Sequence, residues 1–217
     1  MPTGWGKSKT VKLMVAENSN MPQAGEWCHA PFSFFTAPVN KSVTPSFRAN
    51  LKSVYNYVRS SAKAGQATWE LRQIEDHKEA SKFKAEHLDF VTFSGLFNYR
   101  NAQGLLSHSG LLCLDFDHLG PDKQRAKELL IADPCFETQL LFTSPSGDGL
   151  KWVVTIEVSE ENPHEKWFQA IGNYLAETYR LIVDPSGKDV CRACFLPFDG
   201  ECYCHPSILL EPHVAPF

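Results

Sequence analysis

Residues 111–117 read Leu-Leu-Cys-Leu-Asp-Phe-Asp, an apolar run that ends in two carboxylates. A run of this length predicts a strand that is buried on both faces. Side chains at i and i+2 of a strand share a face, so we expect Asp115 and Asp117 side by side at its end. Two adjacent carboxylates repel unless a cation lies between them, and hard oxygen ligands favour Mg²⁺ or Mn²⁺. The pattern indicates a two-metal site for phosphoryl transfer, and the alternative is a strand that ends in solvent.

The segments around this strand predict a chain that mixes helices and strands. Apolar residues recur on one helix face from Phe47 to Val58, with Ser46 as the expected N-cap. Further helices are expected over 69–84, 121–131 and 163–179. Strands are expected over 32–36, 89–97, 111–116, 138–143, 150–158, 181–183 and 194–197. This order of elements indicates an α+β or α/β sheet with flanking helices.

A glycine-containing loop lies between two of the predicted strands, where residues 144–151 read Ser-Pro-Ser-Gly-Asp-Gly-Leu-Lys. Gly147 and Gly149 allow backbone N–H groups to converge on an anion, Ser146 adds a hydroxyl, and Lys151 adds a positive charge. Such a loop is able to hold a triphosphate, although it lacks the Walker A spacing and enters a strand. The same composition is typical of a plain hairpin turn, and that alternative stays open.

A third carboxylate, Asp184, follows the short apolar segment 181–183, and Arg192 comes soon after it. Asp184 would complete a trio of carboxylates, and the planar guanidinium of Arg192 suits phosphate oxygens. The alternative is a β-turn that begins with an aspartate, followed by a surface arginine.

The net charge, the apolar segments and the cysteines limit the class of protein to which this sequence can belong. The net charge is −4 with neutral histidines, which argues against a chain that coats nucleic acid and leaves room for a local basic channel. No signal peptide and no apolar run of about 18 residues is found, so we expect no membrane association, a cytoplasmic location and mostly free thiols for the seven cysteines. The motifs Cys191-x2-Cys194 and Cys202-x-Cys204-His205 have zinc-binding residue types, but their spacing argues against a zinc site.

The chain is expected to form one main domain. Residues 1–31 are predicted to be a flexible or irregular arm, residues 32–210 the domain itself, and residues 211–217 a tail or linker.

Three motifs follow one another along the chain: Leu-Asp-Phe-Asp at 114–117, the glycine loop at 144–151, and Val-Asp at 183–184 followed by Arg192. With these motifs the chain resembles the archaeo-eukaryotic primase superfamily. Phrases such as Val-Thr-Phe-Ser-Gly-Leu-Phe at 91–97 and Asp-Val-Cys-Arg-Ala-Cys-Phe-Leu-Pro at 189–197 look most like the primase-like N-terminal domain of VirE-like helicase proteins from bacterial mobile elements. The resemblance spans residues 32–205, nearly the whole chain.

The resemblance implies an α+β fold with an RNA-recognition-like primase-polymerase catalytic core and an additional N-terminal α/β unit. It implies that Asp115, Asp117 and Asp184 hold two Mg²⁺ or Mn²⁺ ions. It also implies that a nucleoside triphosphate is held by a larger set of residues: Ser146, Gly147, Gly149, Lys151 and Arg192. The implied activity is that of a DNA primase or polymerase, a nucleotidyltransferase that acts on a single-stranded DNA template in mobile-element replication, with a helicase domain or subunit as partner.

One departure from the family pattern keeps two alternatives open. Lys151 stands where most active members have histidine, and lysine pairs with phosphate only as a point charge. The first alternative is a catalytically weak or inactive primase-like domain that binds nucleic acid. The second is a metal-dependent nuclease that uses the same three carboxylates. No helicase P-loop occurs in the sequence, so helicase activity is expected elsewhere.

Overall fold

The computed structural model describes residues 31–210. The expected arm, apart from residue 31, and the expected tail at 211–217 lie outside the described residues. The helices in the described range are α1 (Leu51–Ser60), α2 (Ala62–Leu71), α3 (His77–His87), α4 (Lys123–Ile131), α5 (His164–Tyr179) and the single turn α6 (Pro206–Leu209). The strands in the same range are β1 (Phe32–Phe35), β2 (Phe47–Ala49), β3 (Phe90–Thr92), β4 (Gly95–Phe97), β5 (Leu105–His108), β6 (Leu111–Phe116), β7 (Thr138–Thr143), β8 (Leu150–Thr155), β9 (Cys194–Phe195) and β10 (Tyr203–Cys204).

The strands form two four-stranded antiparallel sheets and one small hairpin. The first sheet has the order β2-β1-β3-β9, and the second has the order β10-β7-β8-β6. Strands β4 and β5 pair separately. Antiparallel sheets with helices on them define the α+β class, so the expected fold class is confirmed. Within the described range, no helix combines the length and the apolar composition needed to cross a bilayer.

The second sheet carries the apolar segment 111–116 that leads to Asp117. Strand β6 leads through α4 to β7, and β8 then returns between β7 and β6, antiparallel to both. In β6, the side chains of Leu112, Leu114 and Phe116 lie in one hydrophobic core. The side chain of Leu111 lies in a second core on the opposite face. The prediction of a strand buried on both faces is therefore confirmed, although β6 lies at the edge of its hydrogen-bonded sheet.

Two cores define the layers of the molecule. Helices α4 and α5 cover one face of the second sheet, where Trp152 and Trp167 are completely buried. The opposite face packs on a core that is shared with the first sheet and α1, to which Phe32 and Val58 contribute. The second sheet is thus covered on both sides, which fixes the register of its strands, because a slip of one residue would place apolar side chains on the wrong face.

Several expected boundaries differ from the observed ones. The segment expected to be helical over 69–84 forms the end of α2 and most of α3, with residues 72–76 between the two helices. The first helix begins at Leu51 and not near Ser46, because Phe47–Ala49 pairs with β1 and the side chain of Asn50 caps the helix by accepting a hydrogen bond from the Ser53 amide. Residues 89–97 form two strands, β3 and β4, that pair with different partners. Residues 181–183 form no strand in the described structure. They follow a left-handed Arg180 (φ 63°) that ends α5, and they approach β6 through one backbone hydrogen bond from Asp184.

Candidate functional site

A buried ion pair lies at the end of β6. Asp115 of β6 stands directly opposite Lys151 of β8, and the Lys151 Nζ atom is 2.5 Å from Asp115 Oδ1. The two side chains are only 9% and 14% exposed for Lys151 and Asp115, respectively. Burial acts to lower the pKa of Lys151, but the attraction of the Asp115 carboxylate outweighs it and raises this pKa above its ordinary value. Lys151 is therefore a permanent cation that neutralises Asp115.

Asp184 is brought beside the same strand by the main chain. Its amide donates a hydrogen bond of 2.8 Å to the carbonyl oxygen of Asp115. Its carboxylate accepts hydrogen bonds from the Ser186 amide and hydroxyl, at 2.9 and 2.6 Å, and lies 3.6 Å from the Arg192 guanidinium. Partial burial opposes ionisation of Asp184, but these hydrogen bonds and the positive charges of Arg192 and Lys151 lower its pKa overall. The structure thus brings together Asp115, Asp184, Lys151 and Arg192.

Asp117 follows β6 directly and is exposed. Among the described residues, no hydrogen bond or ion pair engages its carboxylate. The chain after it is tied to the hairpin between β7 and β8, because the amides of Leu119 and Gly120 donate to the Asp148 carbonyl and carboxylate, at 2.9 Å each. This anchoring holds the end of β6 in place and leaves the Asp117 side chain open to a ligand.

The glycine loop between β7 and β8 is a closed hairpin whose polar groups mostly bond one another. The amide of Gly149 donates to the Ser144 hydroxyl at 3.0 Å, and that of Gly147 donates to the Ser144 carbonyl at 2.9 Å. The hydroxyls of Ser144 and Ser146 are 3.1 Å apart. Of the expected triphosphate-binding residues, Ser146, Gly147 and Gly149 therefore stay within this loop, whereas Lys151 and Arg192 reach the carboxylates.

Two side chains hold the outer surface of this loop. Arg72 of α2 donates to the carbonyls of Pro145 and Ser144, at 3.2 and 3.4 Å, and Lys123 donates to the Gly147 carbonyl at 2.6 Å. The loop carbonyls thus recruit cations of the chain itself. The plain hairpin alternative describes the loop well, and a role in binding triphosphate stays a prediction for its backbone.

Lys84 is a member of the site that the sequence did not reveal. It lies in the last turn of α3, is half-buried, and its Nζ atom sits 5.6 Å from the centroid of the Phe195 ring. No carboxylate in the described part of the chain pairs with it. The pKa of Lys84 is lowered, first by burial and then by the positive charges of Lys151 and Arg192. The negative charges of Asp117 and Asp115 act in the opposite direction. In sequence, Lys84 is one of several lysines in a very polar helix, and nothing in that pattern separates it from the others.

A narrow pocket opens beside Asp115. Its lining includes Arg192, His164 and the thiols of Cys113 and Cys194, whose sulfur atoms are 3.8 Å apart. Its volume is about 20 Å³. This is room for about one water molecule. A nucleobase does not fit inside, so a nucleotide at this site would lie along the surface above the pocket.

The free oxygens of the carboxylates decide which cation the site fits. Lys151 already engages Asp115 Oδ1, and Ser186 engages both oxygens of Asp184. Within residues 31–210, no three His, Cys, Asp or Glu side chains converge to hold an ion. Asp117 and the second oxygen of Asp115 remain open, and Mg²⁺ is commonly bound by one or two carboxylates together with substrate phosphates. The residues fit one cation held jointly with phosphates, and the second ion of the expected pair stays a prediction.

Residues 82–204, more than half of the chain, match the family described as BT4734-like, N-terminal domain. The matched range begins just before Lys84 and includes Asp115, Asp117, Lys151, Asp184 and Arg192. No curated protein and no solved structure matches the chain.

Proposed function

The chain belongs to the family of BT4734-like N-terminal domains, and from this premise we propose that it is a metal-dependent nucleotidyltransferase of the primase-polymerase type. The observation that carries the proposal is the hydrogen bond from the Asp184 amide to the Asp115 carbonyl. It draws a distant third carboxylate to the end of β6, where Asp117 is open and three cations gather. Carboxylates and cations in one cluster suit a ligand that carries both phosphates and a metal ion.

The positive charges favour a polyphosphate as substrate. Lys84, Lys151 and Arg192 come from three separate parts of the fold, and their mutual repulsion is reflected in the lowered pKa of Lys84. An anion placed among them would relieve this repulsion. A triphosphate offers enough negative charge for Lys84 and Arg192 together, whereas a single phosphodiester offers one charge, so the cluster favours nucleotidyl transfer over the alternative of a nuclease.

In this proposal the protein mainly positions groups. Lys84 and Arg192 would hold the phosphates, and the fork of Arg192 would fix their orientation because it makes paired hydrogen bonds. Asp117 and Asp115 would hold the divalent cation, which would lower the charge on the phosphates. Since the pocket is too small for a base, the base would stay outside, free to pair with a single-stranded DNA template.

The order of elements also supports the proposal. Strand β6, helix α4, strands β7 and β8 and helix α5 follow one another, and the chain then returns to the free edge of β6 at Asp184. This order matches the first five elements of a β-α-β-β-α-β unit, and the segment at Asp184 follows in sixth place without forming a strand. By the same resemblance we propose a helicase domain or subunit as partner in mobile-element replication.

A second candidate function has its own support. The ion pair between Lys151 and Asp115 satisfies a carboxylate that a metal would otherwise need. A domain that binds nucleotides or single-stranded DNA through Lys84 and Arg192 without catalysis would keep this ion pair, because its function would not need Asp115 as a metal ligand. This candidate predicts binding without incorporation.

The test is incorporation of labelled deoxynucleotides on a single-stranded DNA template, with and without primer, in Mg²⁺ and in Mn²⁺. Asp117→Asn should abolish incorporation without unfolding the domain, because Asp117 is exposed. Glu160→Gln/Glu161→Gln, which changes two exposed carboxylates far from the cluster, is the matched control and should be as active as the wild type. Binding of template without incorporation would favour the second candidate, and metal-dependent cleavage of the template would favour a nuclease.

A further inference from the structure

We infer that Lys151 occupies the cation position of Asp115 in the free protein, so that a divalent ion binds this carboxylate only after an anionic ligand has drawn the lysine away. The inference rests on the proposed function for its metal and its triphosphate. It adds an order of binding, nucleotide before metal, which the expected two-metal arrangement does not contain.

The geometry of the pair is fixed by the sheet. Asp115 and Lys151 are directly opposite each other on β6 and β8, and β8 is a central strand paired on both sides. The Lys151 backbone is therefore held in place, and the one carboxylate among residues 31–210 that pairs with its side chain is Asp115, at 2.5 Å. At 7% exposure for the residue as a whole, Lys151 has little access to water as a substitute for that partner.

Competition follows from this burial. A metal ion that approaches Asp115 alone must share the carboxylate with a buried ammonium or expel it, and a buried charge that loses its partner is strongly destabilising. The ammonium is a compact point charge on a flexible stem, so it is able to swing toward phosphate oxygens when they arrive. Lys84 and Arg192 flank the same site and would bring those oxygens close.

The experiment measures metal binding and not turnover. Mn²⁺ is titrated into the protein and free Mn²⁺ is followed by electron paramagnetic resonance. Lys151→Met should bind Mn²⁺ about 100-fold more tightly than the wild type, since it leaves Asp115 without a resident cation. Lys151→Met/Asp115→Asn should lose this gain, and Lys82→Met, an exposed lysine on α3, should behave as the wild type.

A second arm uses the wild type alone, so that the test survives if Lys151→Met fails to fold. Addition of a non-hydrolysable α,β-imido deoxynucleoside triphosphate should tighten Mn²⁺ binding to the wild type beyond the affinity of the analogue itself for Mn²⁺. If the wild type bound Mn²⁺ equally tightly with and without the analogue, the inference would be overturned. Failure of the proposed function would give a different result: Mn²⁺ would bind as described, but no deoxynucleotide would be incorporated in the template assay.

Discussion

Lys84 and Lys82 lie two residues apart on α3 and differ in their surroundings. Lys84 is half-buried against Phe195 with no carboxylate partner in the described range, whereas Lys82 is exposed. Lys84→Met should therefore weaken the binding of a deoxynucleoside triphosphate about tenfold, the effect of one lost charge-assisted hydrogen bond. Isothermal titration calorimetry in low salt measures this, and Lys82→Met should bind as the wild type does. Equal losses in both variants would mean that the helix attracts the ligand only through its general charge.

Residue identity predicted part of the site. The sequence predicted Asp115 and Asp117 at the end of one strand, and in the structure β6 ends between them, at Phe116. The Asp184 amide bonds the Asp115 carbonyl and Arg192 lies beside Asp184, but the role of these residues as metal or phosphate ligands stays a prediction. The partner of Lys151 was not predicted, because the register between β6 and β8 depends on tertiary packing and not on local sequence. Lys84 was not found either, since burial of one lysine among many in a polar helix leaves no periodic signal.

At the scale of elements, Gly149 and Gly65 differ in the space that surrounds them. A Cβ atom on Gly149 would lie 2.2 Å from the Phe116 carbonyl oxygen, so Gly149 is what lets the hairpin approach the end of β6. A Cβ atom on Gly65, within α2, would meet nothing within 4 Å.

Gly149→Ala should therefore lower the free energy of unfolding by about 2 kcal/mol or more, because backbone must move. Gly65→Ala should raise it by about 1 kcal/mol, since alanine loses less backbone entropy in a helix. Urea denaturation followed by circular dichroism gives both values. A stable Gly149→Ala protein would mean that the hairpin and β6 are not tightly packed.

A histidine pair joins β5 to α5. His108 Nε2 is 3.0 Å from His164 Nδ1, and His108 Nδ1 accepts a hydrogen bond from the Gly110 amide at 3.0 Å. His164 in turn bonds the Gly187 main chain, and the negative charge of Asp189 acts on it. Burial, followed by the charge of His164, lowers the pKa of His108 from 6.5 to about 4, and burial also lowers that of His164. The pair is therefore neutral in the folded protein.

This pair should make folding sensitive to acid. Between pH 6.5 and 4 the unfolded chain binds protons that the folded chain does not, so stability falls as the pH drops through this window. The loss from His108 should be about 3 kcal/mol between pH 7 and pH 4. His108→Gln/His164→Gln should lose less stability over this range than the wild type, whereas His77→Gln, at an exposed site, should match the wild type. Urea denaturation at each pH measures the difference, and identical pH profiles for all three proteins would contradict the assignment.

Element boundaries were predictable where one periodicity dominates. Strand β7 lies at its predicted residues, 138–143, and α5 begins one residue after its prediction, because each has a continuous apolar pattern. The start of α1 was wrong because the residues from Phe47 satisfy a helical pattern and yet pair with β1. Local pattern is ambiguous at such a point, and the hydrogen bonds of a distant strand decide the outcome.

At the scale of the whole molecule, the family match and the folding unit have different extents. The match begins at residue 82, yet the first sheet has β1 between β2 and β3, and all of β1 and β2 precede the match. Phe32 and Phe35 of β1 are completely buried, as are Leu51 and Val58 of α1. Phe32, Leu51 and Val58 cover one face of the site-bearing sheet, so the matched residues lack part of their own core.

A fragment of residues 82–204 should therefore fail to fold, whereas a fragment of residues 31–210 should unfold in one cooperative transition. Removal of β1 would expose the edge of β3, and removal of α1 would uncover apolar side chains of β6, β7 and β8, including Leu111 and Phe142. Each buried aromatic or aliphatic side chain that loses its cover costs about 1.5–3 kcal/mol, so the loss of four costs about 6–12 kcal/mol, which is comparable to the total stability of a domain. Thermal denaturation followed by near-ultraviolet circular dichroism, together with limited proteolysis, compares the two fragments. A cooperative transition in the shorter fragment would mean that the second sheet with α4 and α5 folds on its own, and that β1 to α3 form a separate unit laid against it.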